Sequence, residues 1–274
     1  MTDTGGTCAT RPIRICVVGA DGRMGSTVIR EAASRDFQVV GAVTIPNSEN
    51  VGKSLGQLGL SPTDLKIVSQ QDLSQALKDA DIYMSFTTPS AELVNIPTAV
   101  QLGKKVVMGT TGFTEDQMHT ITQTLTGKVP AVISPNFSIG VNVLFKTLEM
   151  SRLFPEGFDF SVVEAHHSGK ADAPSGTARK IADIISATRG YSERIYGREG
   201  LSKRREGQLE VLSVRAGGIP GVHDVIIAGQ NEMIRIEHIA FSRSVFAQGA
   251  LYAAEWLNKQ SNPMVYTMED VLRQ

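Results

Sequence analysis

Ile13-Arg14-Ile15-Cys16-Val17-Val18-Gly19-Ala20-Asp21-Gly22-Arg23-Met24-Gly25 is the stretch on which the fold turns. Its first half is a β-branched run closed by glycine, the pattern of a buried strand. Its second half has glycine at every third position and then opens into helical spacing through Met24, Val28 and Ile29. A strand that turns through glycines into a helix presents backbone N–H groups and the positive end of the helix dipole, a natural seat for a phosphate. The stretch therefore reads as a dinucleotide-binding turn, with Gly19, Ala20, Asp21, Gly22, Arg23 and Met24 against the cofactor. The spacing is G-x-x-G-x-x-G rather than G-x-G-x-x-G, so a tight structural turn is the competing reading.

Outward from this turn, short apolar runs alternate with longer amphipathic ones. Strands are expected at Phe37 to Ile45, Leu65 to Val68, Asp81 to Phe86, Lys105 to Met108 and Val129 to Ile133. Helices are expected at Asp72 to Lys78 and Ala91 to Leu102, and Thr114 with Gln117 signals the capping box of another. This alternation predicts a parallel sheet with helices on both faces. A helix near Asn142 to Phe154 and a strand at Phe160 to Glu164 follow. Strands at Leu209 to Val214, Val222 to Ala228 and Met233 to Ile239 then come in succession, with a turn at Gly229-Gln230-Asn231. The fold class is α/β: a Rossmann-like parallel-sheet cofactor domain plus a smaller α+β domain with a mixed or antiparallel sheet. Expected boundaries are 12-137 for the first domain and 138-245 for the second. The helical segments of 246-274 pack back on the first, because Trp256 and Leu257 would otherwise stay uncovered. Residues 1-11 are expected to be a flexible tail.

Composition narrows the function. The 274 residues are 41% hydrophobic and 20% charged with a formal charge of -1, ordinary globular values with no field to gather nucleic acid or anionic lipid. Two cysteines, Cys8 and Cys16, do not make a disulfide framework and fit a reducing compartment. No cluster has metal-ligand spacing, no run of about 18 apolar residues occurs, and the tail has no apolar core of a signal peptide. A cytoplasmic enzyme without metal, membrane or nucleic-acid partner is expected.

A dinucleotide turn usually has an acid about 20 residues on, at the end of the second strand, to bind ribose hydroxyls. Here the segment reads Val43-Thr44-Ile45-Pro46-Asn47-Ser48, with no acid. Its absence removes repulsion against a 2′-phosphate. Arg23 or Lys53 would supply a cation, and Thr44 and Ser48 would donate hydrogen bonds, although Lys53 reads more simply as a solvated loop residue. The reading leans toward NADPH over NADH. Phe86-Thr87-Thr88-Pro89 and Gly109-Thr110-Thr111-Gly112-Phe113 fall at strand C-termini, the ligand side of such a sheet. Taken singly, each also reads as an ordinary turn.

The densest chemistry lies in Glu164-Ala165-His166-His167-Ser168-Gly169-Lys170-Ala171-Asp172-Ala173-Pro174-Ser175-Gly176-Thr177-Ala178. Adjacent histidines and a lysine, on a loop after an apolar strand, are side chains suited to proton transfer near neutral pH. Ser175 reads as a helix N-cap, leaving the N–H groups of Gly176 and Thr177 for a carboxylate. The competing reading is one core histidine, one surface histidine and an ordinary cap.

These segments, with Asn136-Phe137-Ser138-Ile139-Gly140-Val141-Asn142, Val214-Arg215-Ala216-Gly217 and Phe241-Ser242-Arg243, closely resemble the 4-hydroxy-tetrahydrodipicolinate reductase family, also called dihydrodipicolinate reductases. The resemblance runs from Ile13 to the C-terminus, and the His-His-x-x-Lys…Pro-Ser-Gly-Thr run is its most specific part. It implies an oxidoreductase of lysine and diaminopimelate biosynthesis, a homotetramer assembled through the second domain, that reduces a small cyclic dicarboxylate with NADH or NADPH. It implies His166 and Lys170 as catalytic residues and His167, Ser175, Gly176 and Thr177 as substrate contacts. Cofactor contacts would add Phe86, Thr87, Gly109, Thr110, Thr111, Ser134, Pro135, Asn136 and Phe137 to the glycine turn. Where many members carry an acid followed by a base, alignment of Val40-Gly41-Ala42 puts Ile45 and Pro46, which leaves the cofactor preference open. Other readings are a related Rossmann reductase of another small carboxylate, and a nucleotide-binding redox sensor that would lack the His166 and Lys170 pair. Nucleic-acid binding through Lys203-Arg204-Arg205 is a third, countered by Glu206 and the lack of an aromatic neighbour.

Overall fold

The structure, a computed structural model, describes residues 11–273. The expected tail, Cys8 included, falls outside them except for Arg11, whose guanidinium pairs with Asp81 at 2.9 Å. In chain order the elements are β1 (Ile13–Val18), α1 (Arg23–Ala32), β2 (Phe37–Thr44), β3 (Val68–Ser69), α2 (Leu73–Leu77), β4 (Ile82–Ser85), α3 (Pro89–Gln101), β5 (Lys105–Met108), α4 (Glu115–Leu125) and β6 (Ala131–Ile133). There follow α5 (Ile139–Leu148), β7 (Asp159–His166), α6 (Gly176–Arg189), β8 (Glu193–Ile195), β9 (Gln208–Arg215), β10 (Val222–Ala228), β11 (Met233–Ile239), α7 (Ser244–Asn258), β12 (Val265–Tyr266) and α8 (Met268–Leu272). The chain forms two compact units, Pro135–Phe246 and the remainder, to which the segment from Ala247 onward belongs.

The first unit is a seven-stranded sheet in the order β12-β6-β5-β4-β1-β2-β3, with every pair parallel. Strands covered on both faces need continuous apolar runs, and β1 and β5 are buried from Ile15 to Val18 and from Val106 to Met108. Full burial of such a side chain contributes roughly 1.5–3 kcal/mol. The Thr114 capping box forms: Thr114 Oγ1 accepts Gln117 N–H at 3.2 Å and Gln117 Oε1 accepts Thr114 N–H at 2.9 Å. Lys105 Nζ donates to the carbonyls of Leu257 (3.2 Å) and Asn258 at the end of α7, where a cation meets the negative pole of the helix. The Trp256 ring packs edge-on to Tyr266, centroids 5.0 Å apart.

The second unit is a five-stranded sheet, β11-β10-β7-β9-β8, antiparallel at β11-β10 and β10-β7 and parallel at β7-β9 and β9-β8. Leu144 and Leu148 of α5 and Ile181 and Ile185 of α6 pack on Phe160, Val162, Val211 and Ile227. Along β7 burial alternates, with Phe160, Val162, Glu164 and His166 buried. The two-residue period of a strand thus puts the last two of these on the face that holds the core.

Three expectations need correction. The strand expected to end at Glu164 runs on to His166, since Ala165 and His166 continue the ladder to Val214 and Arg215. The helix expected to reach Phe154 stops at Leu148 and tightens into a 3₁₀ turn over Glu149–Leu153. The strand expected at Leu65 to Val68 shrinks to Val68–Ser69, because its residues pair with the loop before them instead: Leu55 N–H donates to Leu65 O at 2.8 Å and Ile67 N–H to Lys53 O at 2.9 Å.

Candidate active site

The glycine turn is held against its own sheet. Gly19 has φ +82°, and the N–H groups of Gly19 and Ala20 both donate to Val43 O at 2.9 Å. Gly22 N–H donates to Gly19 O at 3.0 Å. A Cβ at Gly25 would lie 2.0 Å from Gly19 O, so the loop rests directly on the first turn of α1. That turn carries no side-chain cap and no acid. Three loop N–H groups are thus engaged internally. The N–H groups at the start of α1 have no intrahelical partner, and this cradle fits a dinucleotide phosphate.

Asp21 was expected to face the cofactor, and Thr44 and Ser48 to donate to it. The structure brings these residues together with one another. The Asp21 carboxylate accepts hydrogen bonds from Thr44 Oγ1, from Ser48 Oγ at 2.5 Å and from Asn50 Nδ2 at 3.2 Å. Lys53 Nζ donates to Asn50 Oδ1 at 3.1 Å. Burial pushes the Asp21 carboxyl up, but these three side chains and the Asp21 backbone N–H outweigh it and hold it below its ordinary value.

The strand ends at Phe86-Thr87 and Gly109-Thr110 also meet. Thr87 N–H donates to Thr110 Oγ1 at 2.9 Å, and both threonine hydroxyls donate to Glu92 Oε1, at 2.5 and 2.7 Å. Glu92 is fully buried at the start of α3, and its other oxygen accepts Tyr83 Oη–H at 2.7 Å. The Phe86 ring lies over Gly109, where a Cβ would come within 2.2 Å of it. Thr111 is exposed beyond this knot.

In the second unit β7 carries Glu164 and His166. Glu164, fully buried, accepts His166 Nδ1–H at 2.5 Å, Arg215 through both terminal nitrogens at 2.9 and 2.8 Å, and Ser175 N–H at 3.1 Å. Burial alone would raise the Glu164 carboxyl. The donors, Arg215 foremost, reverse this and hold it at about 2. His166 is lowered from its ordinary value, burial outweighing the attraction of Glu164. Its ring is therefore neutral at pH 7, with the proton on Nδ1 and Nε2 bare. Lys170 Nζ pairs with Asp172 Oδ1 at 2.6 Å. Arg215 also donates to Asp172 O at 2.6 Å, and Ser168 N–H to Gly217 O at 3.1 Å. The loop is thereby fastened to the end of β9.

Ser175 caps α6, its Oγ accepting Ala178 N–H at 3.2 Å, which leaves the N–H groups of Gly176 and Thr177 without helical partners. His223 Nε2 lies 3.2 Å from Ser175 Oγ, and the His223 ring sits edge-on to His166 at 5.1 Å. Burial and the neighbouring His166 lower His223 to about 3. Asn136 Nδ2 donates to Thr177 Oγ1 at 3.0 Å. The arrangement offers proton donors, a bare imidazole nitrogen and helix N–H groups for a carboxylate.

Residues 13–137 match the family model described as dihydrodipicolinate reductase, N-terminus, and residues 140–272 the one described as dihydrodipicolinate reductase, C-terminus. The chain belongs to the dihydrodipicolinate reductase family. The 4-hydroxy-tetrahydrodipicolinate reductase of Methanosarcina barkeri is 43% identical over 267 residues, spanning 95% of this chain and 99% of that protein. The protein of the same name from Archaeoglobus fulgidus is 40% identical over 265 residues, 95% of this chain and all of the other (100%). The solved structure of dipicolinate-bound dihydrodipicolinate reductase from Paenisporosarcina sp. TG-14 superposes with a TM-score of 0.73 at 22% identity, covering 95% of this chain and 100% of that one. At that identity it shows the shared fold.

Against this family background, the sequence reading missed several residues that build the site. Glu164 and Arg215 carry no role in the sequence pattern, although an acid two residues before a histidine on a strand shares its face and is a readable signal. Glu92 and His223 left no such trace, because only the fold brings them to Thr87, Thr110 and Ser175. Ser134 ends the first unit, while Pro135, Asn136 and Phe137 belong to the second. The Phe137 side chain is buried in the core at 2% exposure, so a ligand would meet only its backbone. His167 is partly exposed, and its carbonyl accepts Lys170 N–H at 3.0 Å. Among the described residues no group of three metal-ligating side chains occurs, and no helix is long and apolar enough to cross a membrane.

Proposed function

We propose that the chain catalyses the NAD(P)H-dependent reduction of 4-hydroxy-tetrahydrodipicolinate to tetrahydrodipicolinate, a step of lysine and diaminopimelate biosynthesis. The observation that carries this reading is the buried Glu164 carboxylate, which fixes the His166 tautomer beside the N-terminus of α6. Family membership and the name shared by the relatives support it.

The first turn of α1 would hold the cofactor's pyrophosphate, and Phe86, Thr87, Gly109, Thr110, Thr111 and the 134–137 segment would hold its nicotinamide half. When bound, the reduced nicotinamide supplies the hydride, which C4 of the unsaturated imine accepts after the 4-hydroxyl leaves as water. Everything else falls to this chain. The N–H groups of Gly176 and Thr177, with His167 and the Ser175 cap, would bind the substrate carboxylates. A dianion there favours the charged form of nearby groups and raises His166 toward protonation at Nε2. His166 and Lys170 would then stabilise the electron density that develops on the ring nitrogen and deliver the proton that completes reduction. Asp172 and Arg215 position Lys170 and its loop.

The chain is read further as a cytoplasmic homotetramer joined through the second unit, a reading supported by the exposed apolar side chains of Met233, Ile234 and Ile239 on β11. Light scattering at micromolar concentration tests the assembly, and a monomer would refute it. For the chemistry, Lys170→Ala is expected to lower kcat by on the order of 10²-fold with nucleotide affinity unchanged. Near-normal turnover would remove Lys170 from the mechanism.

A further inference from the structure

The second strand of a dinucleotide fold usually ends in the acid that reads the adenosine ribose. Here it ends in Thr44, followed by Ile45 and Pro46. The structure nevertheless places a carboxylate at that point, and it comes from the glycine turn itself. Asp21 sits after β1, whose Val18 pairs with Val43 of the parallel β2, and its side chain reaches across to the end of β2. Thr44 Oγ1 donates to Oδ1, and Ser48 Oγ and Asn50 Nδ2 donate to Oδ2. Hydroxyls and an amide fix the carboxylate in place without cancelling its charge. These donors, with the Asp21 backbone N–H, keep the carboxylate ionised, an acceptor that a ribose hydroxyl satisfies and a charge that a second anion does not.

We propose that Asp21 is the cofactor-discriminating residue of this chain: borrowed by the end of β2, it accepts a ribose hydroxyl of NADH and repels the 2′-phosphate of NADPH. The inference rests on the reductase reading above and makes its cofactor specific. It reverses the lean toward NADPH drawn from the missing strand acid, because Thr44 and Ser48, counted there as phosphate donors, are engaged by Asp21. Lys53, counted there as a cation, donates to Asn50 and so helps to orient the amide that donates to Asp21.

The test is calorimetric titration of the full chain with NADH and with NADPH, repeated for Asp21→Asn and for the double variant Asp21→Asn/Thr44→Glu. The wild type is expected to bind NADH at least 10-fold more tightly. Asp21→Asn should tighten NADPH by 10-fold or more and weaken NADH a few-fold, and Thr44→Glu should restore the preference for NADH by returning an acid to the strand. A merely structural Asp21 would weaken both nucleotides together and leave their ratio unmoved, which overturns the proposal. Wild-type affinity for NADPH equal to or above that for NADH overturns it as well. Failure of both nucleotides to bind the wild type would overturn the reductase reading on which it stands.

Discussion

At Glu164 one buried charge links the packing of the second unit to the proposed chemistry. It neutralises Arg215 in a bidentate pair and fixes the Nδ1 proton of His166. Glu164→Gln keeps the shape but loses the charge, so kcat is expected to fall on the order of 10²-fold with substrate KM changed little. Steady-state kinetics checks this, and an unchanged kcat would detach His166 from its orienting carboxylate. His223 offers a pH test. Its folded pKa of about 3 lies below the ordinary 6.5, so between those values the unfolded chain holds a proton that the folded one lacks. Stability therefore falls as pH drops through that window, by about 1.4 kcal/mol per pH unit for one proton. Urea unfolding at pH 7 and 4.5 is expected to show a smaller acid loss in His223→Gln than in the wild type. Equal losses would mean that His223 is protonated in the fold.

The helices that begin at the two proposed ligand cradles, α1 and α6, carry the predictions at the scale of the element. Gly22 is the uncapped N-cap of α1 at φ −73°, a backbone any residue adopts, while a Cβ there would meet Gly19 O at 3.1 Å. Gly22→Val is expected to keep the fold and to weaken nucleotide binding by at least 10-fold in calorimetry, since its branches crowd the N–H groups. Unchanged affinity would make the turn purely structural. Ser175→Ala removes the α6 cap and should cost about 1 kcal/mol, read as a lowered urea midpoint, and raise substrate KM. Elements with strong local pattern were legible in sequence: β1 through its β-branched run, α4 through Thr114 and Gln117, and β10 and β11 through successive apolar runs broken at the Gly229 turn. β8 and β12 were not, since two or three residues become strands only where a neighbouring ladder accepts them. The extension of β7 to His166 was hidden because His166 and His167 look like loop chemistry, and only the pairing with β9 shows otherwise.

Across the whole chain, one parallel sheet carries the glycine turn and one mixed sheet carries Glu164 and His166, and the proposed reaction divides between them. The motif residues of the site were legible because they lie within short segments of sequence. Its supports were not. Glu92 reaches Thr110 from 18 positions away, Arg215 reaches Glu164 from 51, and Asp21 reaches Thr44 from 23. Such contacts arise from parallel crossovers and sheet order, which no local pattern encodes. The central claim is the reaction itself, and a coupled assay with freshly generated 4-hydroxy-tetrahydrodipicolinate, following oxidation of NADH and NADPH separately, tests it most directly. Substrate-dependent oxidation of nucleotide, abolished by Glu164→Gln and Lys170→Ala together, is the expected result. Nucleotide that binds but is not oxidised by the folded wild type would contradict it.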